Sequence, residues 1–152
     1  MKVVVLTADS GQSDQHGKTH ALGLGWTWTY APTIGPMAVV VLVEFDNRRD
    51  AAGPHTVVLS LLDSEHEPVF LDQTEPFRVE ATLTPASEPD VPPDAPAVAP
   101  LIVNIGPGIP LEPESRYWWH VTVDGHSDDG WCTSFYTRAA PSGEAALTTT
   151  GE

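Results

Sequence analysis

Hydrophobic and polar positions along this chain alternate with period two in stretch after stretch, the spacing of half-buried strands rather than of helices. In residues 55–62, Val57, Leu59 and Leu61 share one face. In residues 77–84, Phe77, Val79, Ala81 and Leu83 share a face opposite Arg78, Glu80, Thr82 and Thr84. Residues 113–125 run through a polar turn into Tyr117, Trp119, Val121 and Val123 on one face, with Trp118, His120 and Thr122 on the other, and close on the turn dipeptide Asp124-Gly125. A further strand over residues 130–137 completes a hairpin. The run from Met37 to Phe45 is almost continuously apolar and rich in valine, the signature of a central strand covered on both faces. Shorter signals at residues 3–7, 69–71 and 101–105 and a glycine-interrupted one at 18–30 bring the expectation to about nine strands, with no helical stretch of comparable quality.

Turns at this spacing predict an all-β fold, an immunoglobulin-like antiparallel sandwich, with Tyr117 placed where such folds set a corner tyrosine. The expected core is Val39, Val41, Val43, Leu59, Leu61, Phe77, Val79, Leu83, Val103, Tyr117, Trp119 and Val121. One sandwich domain is expected over residues 1–138, followed by a small, polar, Thr-rich tail at 139–152. Residues 85–100 read as a long proline-rich loop, extended because its φ angles are preset.

Composition narrows the partners. With 21 acidic against 7 basic residues the formal net charge is −14, a surface that repels phosphate backbones and anionic lipid, so neither direct nucleic-acid nor membrane binding is expected. The charge suits plain solvation of acidic loops, a basic partner, or mimicry of nucleic acid. The opening residues carry one lysine and a short apolar run with no small-residue cleavage site, and read as a first strand rather than a signal peptide. The single cysteine, Cys132, leaves no internal disulfide. Synthesis in a cytoplasm is the expectation, with a virion as a possible destination.

Several residues resemble a family of small bacterial and phage proteins of uncharacterised function: Leu6-Thr7-Ala8-Asp9, Gly17-Lys18, Leu22-Gly23-Leu24-Gly25-Trp26, the valine strand, Asn47-Arg48-Arg49, Leu59-Ser60-Leu61-Leu62-Asp63, Pro110-Leu111 and Tyr117. The resemblance is diffuse but spans most of the chain. It implies an immunoglobulin-like sandwich and carries no catalytic residues.

Candidate chemistry is sparse. His16 and His20 lie four apart with Asp9 and Asp14 nearby, but Gly17 and a strand start at Lys18 break the helical geometry that zinc would need from that spacing. Asp124, His126 and Asp128 alternate like the first ligands of a calcium loop, yet Asp129 stands where glycine is required and Phe135 where the bidentate glutamate belongs. These are weak metal candidates, and no cofactor or catalytic residue is expected. Nor is there a nucleophile elbow or a phosphate-binding glycine loop.

The expected function is therefore non-enzymatic: a structural or assembly module, of the decoration or tail type in a virion or a similar large assembly, as a homo-oligomer or one copy among many. Its expected protein contacts are Trp118 and the segments outside the sheets, through Pro92, Pro93 and Pro96 of the loop and Leu147 of the tail. The alternatives are a soluble acidic adaptor or inhibitor of a basic host protein, and a metal-dependent enzyme or carbohydrate-binding module using the histidines or exposed indoles. Trp26 and Trp28 are expected to share a face.

Overall fold

A computed structural model of the chain describes residues 1–32 and 35–141; Leu147 and most of the expected tail lie outside the described residues. The strands are β1 (Lys2–Ala8), β2 (Ser10–Ser13), β3 (Thr19–Leu22), β4 (Trp28–Ala31), β5 (Met37–Phe45), β6 (His55–Leu62), β7 (Arg78–Leu83), β8 (Ala97–Ile105), β9 (Ser115–Val123) and β10 (Cys132–Ala139), with one helical turn, α1 (Arg48–Ala51), between β5 and β6. They form a three-stranded sheet β1-β5-β8, a five-stranded sheet β4-β10-β9-β6-β7, and the hairpin β2-β3.

The two larger sheets share one core. Val39, Val41, Val43 and Phe45 of β5 meet Leu59 and Leu61 of β6, Tyr117, Trp119 and Val121 of β9, and Phe135 of β10. This is the period-two phase expected from the sequence. Phe77, Val79, Leu83 and Val103 pack against the core only half-buried, because β7 and β8 are sheet edges.

Strand β5 is buried on both faces for a specific reason. Its outward residues Ala38, Val40 and Leu42 form a second apolar cluster with Leu6, Ala8, Ala21 and Ile102. Hairpin β2-β3 helps to cover that cluster, clasped to β8 where Asn104 donates to the Gly11 carbonyl (2.9 Å) and accepts from the Gly11 N–H (3.2 Å).

Among the described residues ten strands form instead of about nine, and the differences are local. The expected strand over residues 18–30 divides into β3 and β4, which belong to different sheets. The chain changes sheet at Gly23-Leu24-Gly25. Gly23 has φ +61, a left-handed conformation that side chains rarely adopt, and a Cβ there would run into the Asp9 carboxyl, so a substitution forces either strain or a shift of Asp9. Within residues 69–71, Phe70 makes an isolated bridge to Pro76 and no strand forms. Strand β8 starts at Ala97, so the loop ends earlier than expected: Pro100 sits within β8 opposite Leu42. An edge strand is where a proline is tolerated within a sheet, and β8 is one. The loop is not simply extended. Turns close from Val91 N–H to the Glu88 carbonyl and from Ala95 N–H to the Pro92 carbonyl, and the segment is tied to α1 by Arg48 N–H to the Pro93 carbonyl (2.9 Å), Arg48–Glu88 (2.6 Å) and Arg49–Asp94 (2.9 Å).

Asp124 (φ 50) and Gly125 (φ 77) both lie in the left-handed region, the conformation of a two-residue hairpin turn and the reason Asp-Gly occupies it. Residues 127–131 then loop before β10 begins. At the start of β9, the Tyr117 hydroxyl accepts the Glu112 N–H at 2.9 Å. Buried Thr137 donates to the Glu112 carbonyl at 2.6 Å. Together they pin the segment leading into β9.

Candidate functional site

Strands β4, β10 and β9 lie side by side, and their outward residues form rows across the sheet. Tyr136 stands beside Trp28 on one side and Arg116 on the other; Arg138 stands beside Tyr30. The next row, Leu62, Trp118 and Ser134, continues toward β6. Trp28, Tyr30 and Tyr136 are 47%, 43% and 37% exposed, so three large rings on adjacent positions are left in solvent, which a monomeric surface seldom does without use.

The geometry of this face is well defined. The Trp28 and Tyr30 rings meet edge to face, centroids 5.3 Å apart at 86°. The Arg138 guanidinium lies 5.8 Å from the centre of the Trp28 ring, a cation–π arrangement. The Tyr136 hydroxyl donates to Glu114 Oε2 (3.1 Å), and Glu114 Oε1 accepts the Ala139 N–H (3.1 Å). These two bonds, the Ala139 N–H foremost, hold the Glu114 carboxyl below its ordinary range, while the carboxylate raises the Tyr136 phenol. Four of the seven basic residues are within 4 Å of carboxylates, Lys2, Arg48, Arg49 and Arg78; among the described residues Arg116 and Arg138 make no such ion pair.

Trp118 is half-buried on the same face, its ring 5.2 Å from that of His66. The two line a shallow pocket with Leu62, His120, Asp129 and Cys132. The Cys132 thiol donates to the Asp129 carbonyl (3.2 Å), and burial pushes it above the ordinary thiol range, the opposite of an activated nucleophile. Trp26 and Trp28 do not share a face. Trp26 precedes β4 and packs edge-on against Phe135 at 5.5 Å.

The four metal candidates are dispersed. His20 Nε2 meets Asp14 Oδ2 at 2.9 Å, and Asp14 Oδ1 accepts the backbone N–H groups of His16 and Lys18. These bonds, the His20 contact first, lower Asp14 to about 2. His16 joins no shared site with them. Asp124 is occupied by His55 Nδ1 (2.8 Å) and the Thr56 N–H (2.8 Å), and Asp128 accepts the Gly130 N–H. Among the described residues no group of three His, Cys, Asp or Glu side chains is placed to hold a metal ion. The His55–Asp124 pair has the look of a catalytic dyad, but His55 Nε2 faces the Ala51 carbonyl at 3.1 Å. The nitrogen that would take a nucleophile's proton is thereby engaged.

Pro92, Pro93 and Pro96 are exposed on the loop, remote in sequence from the aromatic face and on the α1 side of the fold. Sequence reasoning missed Tyr30 and Arg138 as parts of one surface. The signal was the shared phase of Trp28 and Tyr30 on one strand. Their meeting with Tyr136 depends on the parallel pairing of β4 with β10, which no local pattern encodes.

A family of unknown function, DUF6941, matches residues 3–131. The chain belongs to the DUF6941 family. The match takes in Trp28, Tyr30, Arg116 and Trp118 of the aromatic face and ends before Tyr136 and Arg138. No curated protein and no solved structure matches this DUF6941 chain. Among the described residues no helix is long and apolar enough to cross a membrane.

Proposed function

We propose that this DUF6941 protein is a non-enzymatic interaction module, an immunoglobulin-like sandwich that serves as one accessory copy within a larger assembly such as a virion. Two features support the immunoglobulin-like form. The N-terminal segment is split between the sheets, β1 antiparallel to β5 and β4 parallel to β10. Tyr117 makes the hydroxyl-to-backbone bond of a tyrosine corner.

One observation carries the functional reading: one sheet presents Trp28, Tyr30, Tyr136, Arg116 and Arg138 together in a chain of net charge −14. Tyr, Trp and Arg are the residue types that dominate binding energy at protein interfaces. Held on strands rather than loops, they lose little freedom on docking. The surrounding acidic surface repels most macromolecules, so this face sets which partner can approach.

Sedimentation of lysate from the cells that naturally make the protein tests the reading. Recovery in a fast-sedimenting particle supports it. A protein that runs free, bound to one basic host protein in a complex that salt dissolves, supports the acidic-adaptor alternative instead.

A further inference from the structure

The four outer edges of the two main sheets are treated unequally. Strand β7 carries the exposed, paired charges Arg78 and Glu80 (3.0 Å). Strand β8 has Pro100 in its run and is clasped at Asn104 by Gly11. Strand β1 begins with Lys2, and near its other end the Thr7 carbonyl accepts the Gly25 N–H. Each is a known way of blunting an edge. Strand β4 reads Trp28-Thr29-Tyr30-Ala31, with no charge and no proline. Among the described residues no strand pairs with its far side.

Among the described residues the backbone of that edge is free in a definite pattern. Thr27 and Ala31 direct their carbonyls to β10, accepting from Tyr136 N–H (2.9 Å) and Ala140 N–H (3.1 Å). With a strand period of two, Thr29 faces β10 as well, and the N–H and C=O groups of Trp28 and Tyr30 face the open side.

We propose that β4 is a self-association edge, pairing antiparallel with β4 of a second copy about a two-fold axis at Thr29. The sequence is self-complementary in that register. Thr29 meets the partner's Thr29 as a non-hydrogen-bonded pair. Trp28 meets the partner's Tyr30, twice, as hydrogen-bonded pairs, which uses the four outward backbone groups of each copy. Each ring pair lies on the outer face as an aromatic cross-strand pair. The charges also fit. A row across the joined sheet reads Arg116, Tyr136, Trp28, the partner's Tyr30, the partner's Arg138, so the arginines stand at the ends and never opposite one another. The two five-stranded sheets become one of ten strands with a doubled aromatic face. This inference rests on the reading of the chain as an assembly module, since a short edge gives a weak dimer that matters only where many copies are held together.

Two chains of charge −14 repel, and the contacts that join them are backbone and aromatic. Salt must therefore tighten the dimer, the reverse of its effect on an acidic–basic complex. The test is sedimentation equilibrium of the purified full chain over about 1–300 µM, at about 50 mM and about 0.5 M salt. A monomer–dimer equilibrium is expected, several-fold tighter at high salt, and weakened at least about tenfold in Trp28→Lys or Tyr30→Lys. A second measurement does not depend on those variants. In a Cys132→Ser background, Thr29→Cys is expected to cross-link to itself under mild oxidation, because a non-hydrogen-bonded pair sets the Cα atoms about 4.5 Å apart. Thr82→Cys on the opposite edge is expected to stay monomeric. A monomer at both salt concentrations, or a dimer that both lysine variants leave intact, overturns the inference. If the chain is monomeric yet enters a large particle, the inference falls and the assembly reading stands; a dimer that enters no particle does the reverse.

Discussion

His55 and Asp124 are 69 positions apart in the chain and 2.8 Å apart in the fold. With His55 Nε2 on the Ala51 carbonyl and Asp124 Oδ1 on the Thr56 N–H, this contact fastens the β9–β10 turn to the start of β6 and to α1. Asp124→Ala removes an acceptor shared by an imidazole and a backbone N–H. Because Asp124 is nearly half exposed, the expected cost is modest, about 1 kcal/mol. Chemical denaturation of the variant against wild type measures it. No loss would show that the turn is held by its backbone alone.

The carboxylates set the response to acid. Asp14, Asp72, Glu114 and Asp124 are all held below their ordinary values by hydrogen bonds that favour the charged form, from His20, Thr74, Ala139 and His55 respectively in first place. A folded pKa below the unfolded one contributes stability that is present above the unfolded value and is lost as pH falls through the folded value. Stability is therefore expected to fall as pH drops from about 4 toward 2, the range that reaches Asp14, lowered to about 2. Denaturant midpoints across this range provide the check; a midpoint that rises on acidification contradicts the assignment.

Trp119 is fully buried, stacked with Phe135 at 6.2 Å and edge-on to Phe77 at 5.4 Å. Trp119→Ala is expected to cost about 3–5 kcal/mol through the cavity it opens. Among the described residues the indole Nε1 has no hydrogen-bond partner, so Trp119→Phe removes an unsatisfied donor along with some volume and is expected to lose less than half as much. Equal losses for the two variants would show that the size of the cavity does not set the cost.

Tyr117→Phe tests the corner. The substitution keeps the ring in the core and leaves the Glu112 N–H without its acceptor, at an expected cost of about 1 kcal/mol. Gly23→Ala tests the sheet change. It forces a Cβ onto Asp9 at a positive φ, whereas Gly17 has φ +74 with open space around it. Thermal melts are expected to show a larger loss at Gly23 than at Gly17, and the reverse order would mean that the segment relaxes freely.

The elements whose periodicity is complete within one strand were legible from the sequence. Residues 37–45 and 55–62 are strands as expected, and the phase of Tyr117, Trp119 and Val121 points inward. What could not be read was pairing. The burial of both faces of β5 shows in its valines, but the hairpin that supplies the outer cover does not. Placing Trp26 and Trp28 on one face assumed a continuous strand, whereas the glycines at 23 and 25 deliver the chain to the other sheet at β4. Proline content fixes φ along residues 85–100 but does not encode the ion pairs Arg48–Glu88 and Arg49–Asp94 that fold the loop back. For the site, the alternation along β9 places Trp118 on the outer face. The rest of the face waits on the parallel pairing of β4 with β10, a contact between residues more than a hundred positions apart.

The central claim, that the protein acts by docking through its aromatic face, is tested most directly by the double variant Arg116→Ala/Tyr136→Ala. Both residues are on the outer face and off the β4 edge, so the core and the self-association edge are left alone, and the melting temperature should stay within a few degrees of wild type. The measurement is the fraction of full-length protein that co-sediments with its natural assembly. The account predicts that the variant is monodisperse and folded but shifts from the particle to the free pool. A folded variant that enters the assembly as wild type does would contradict it.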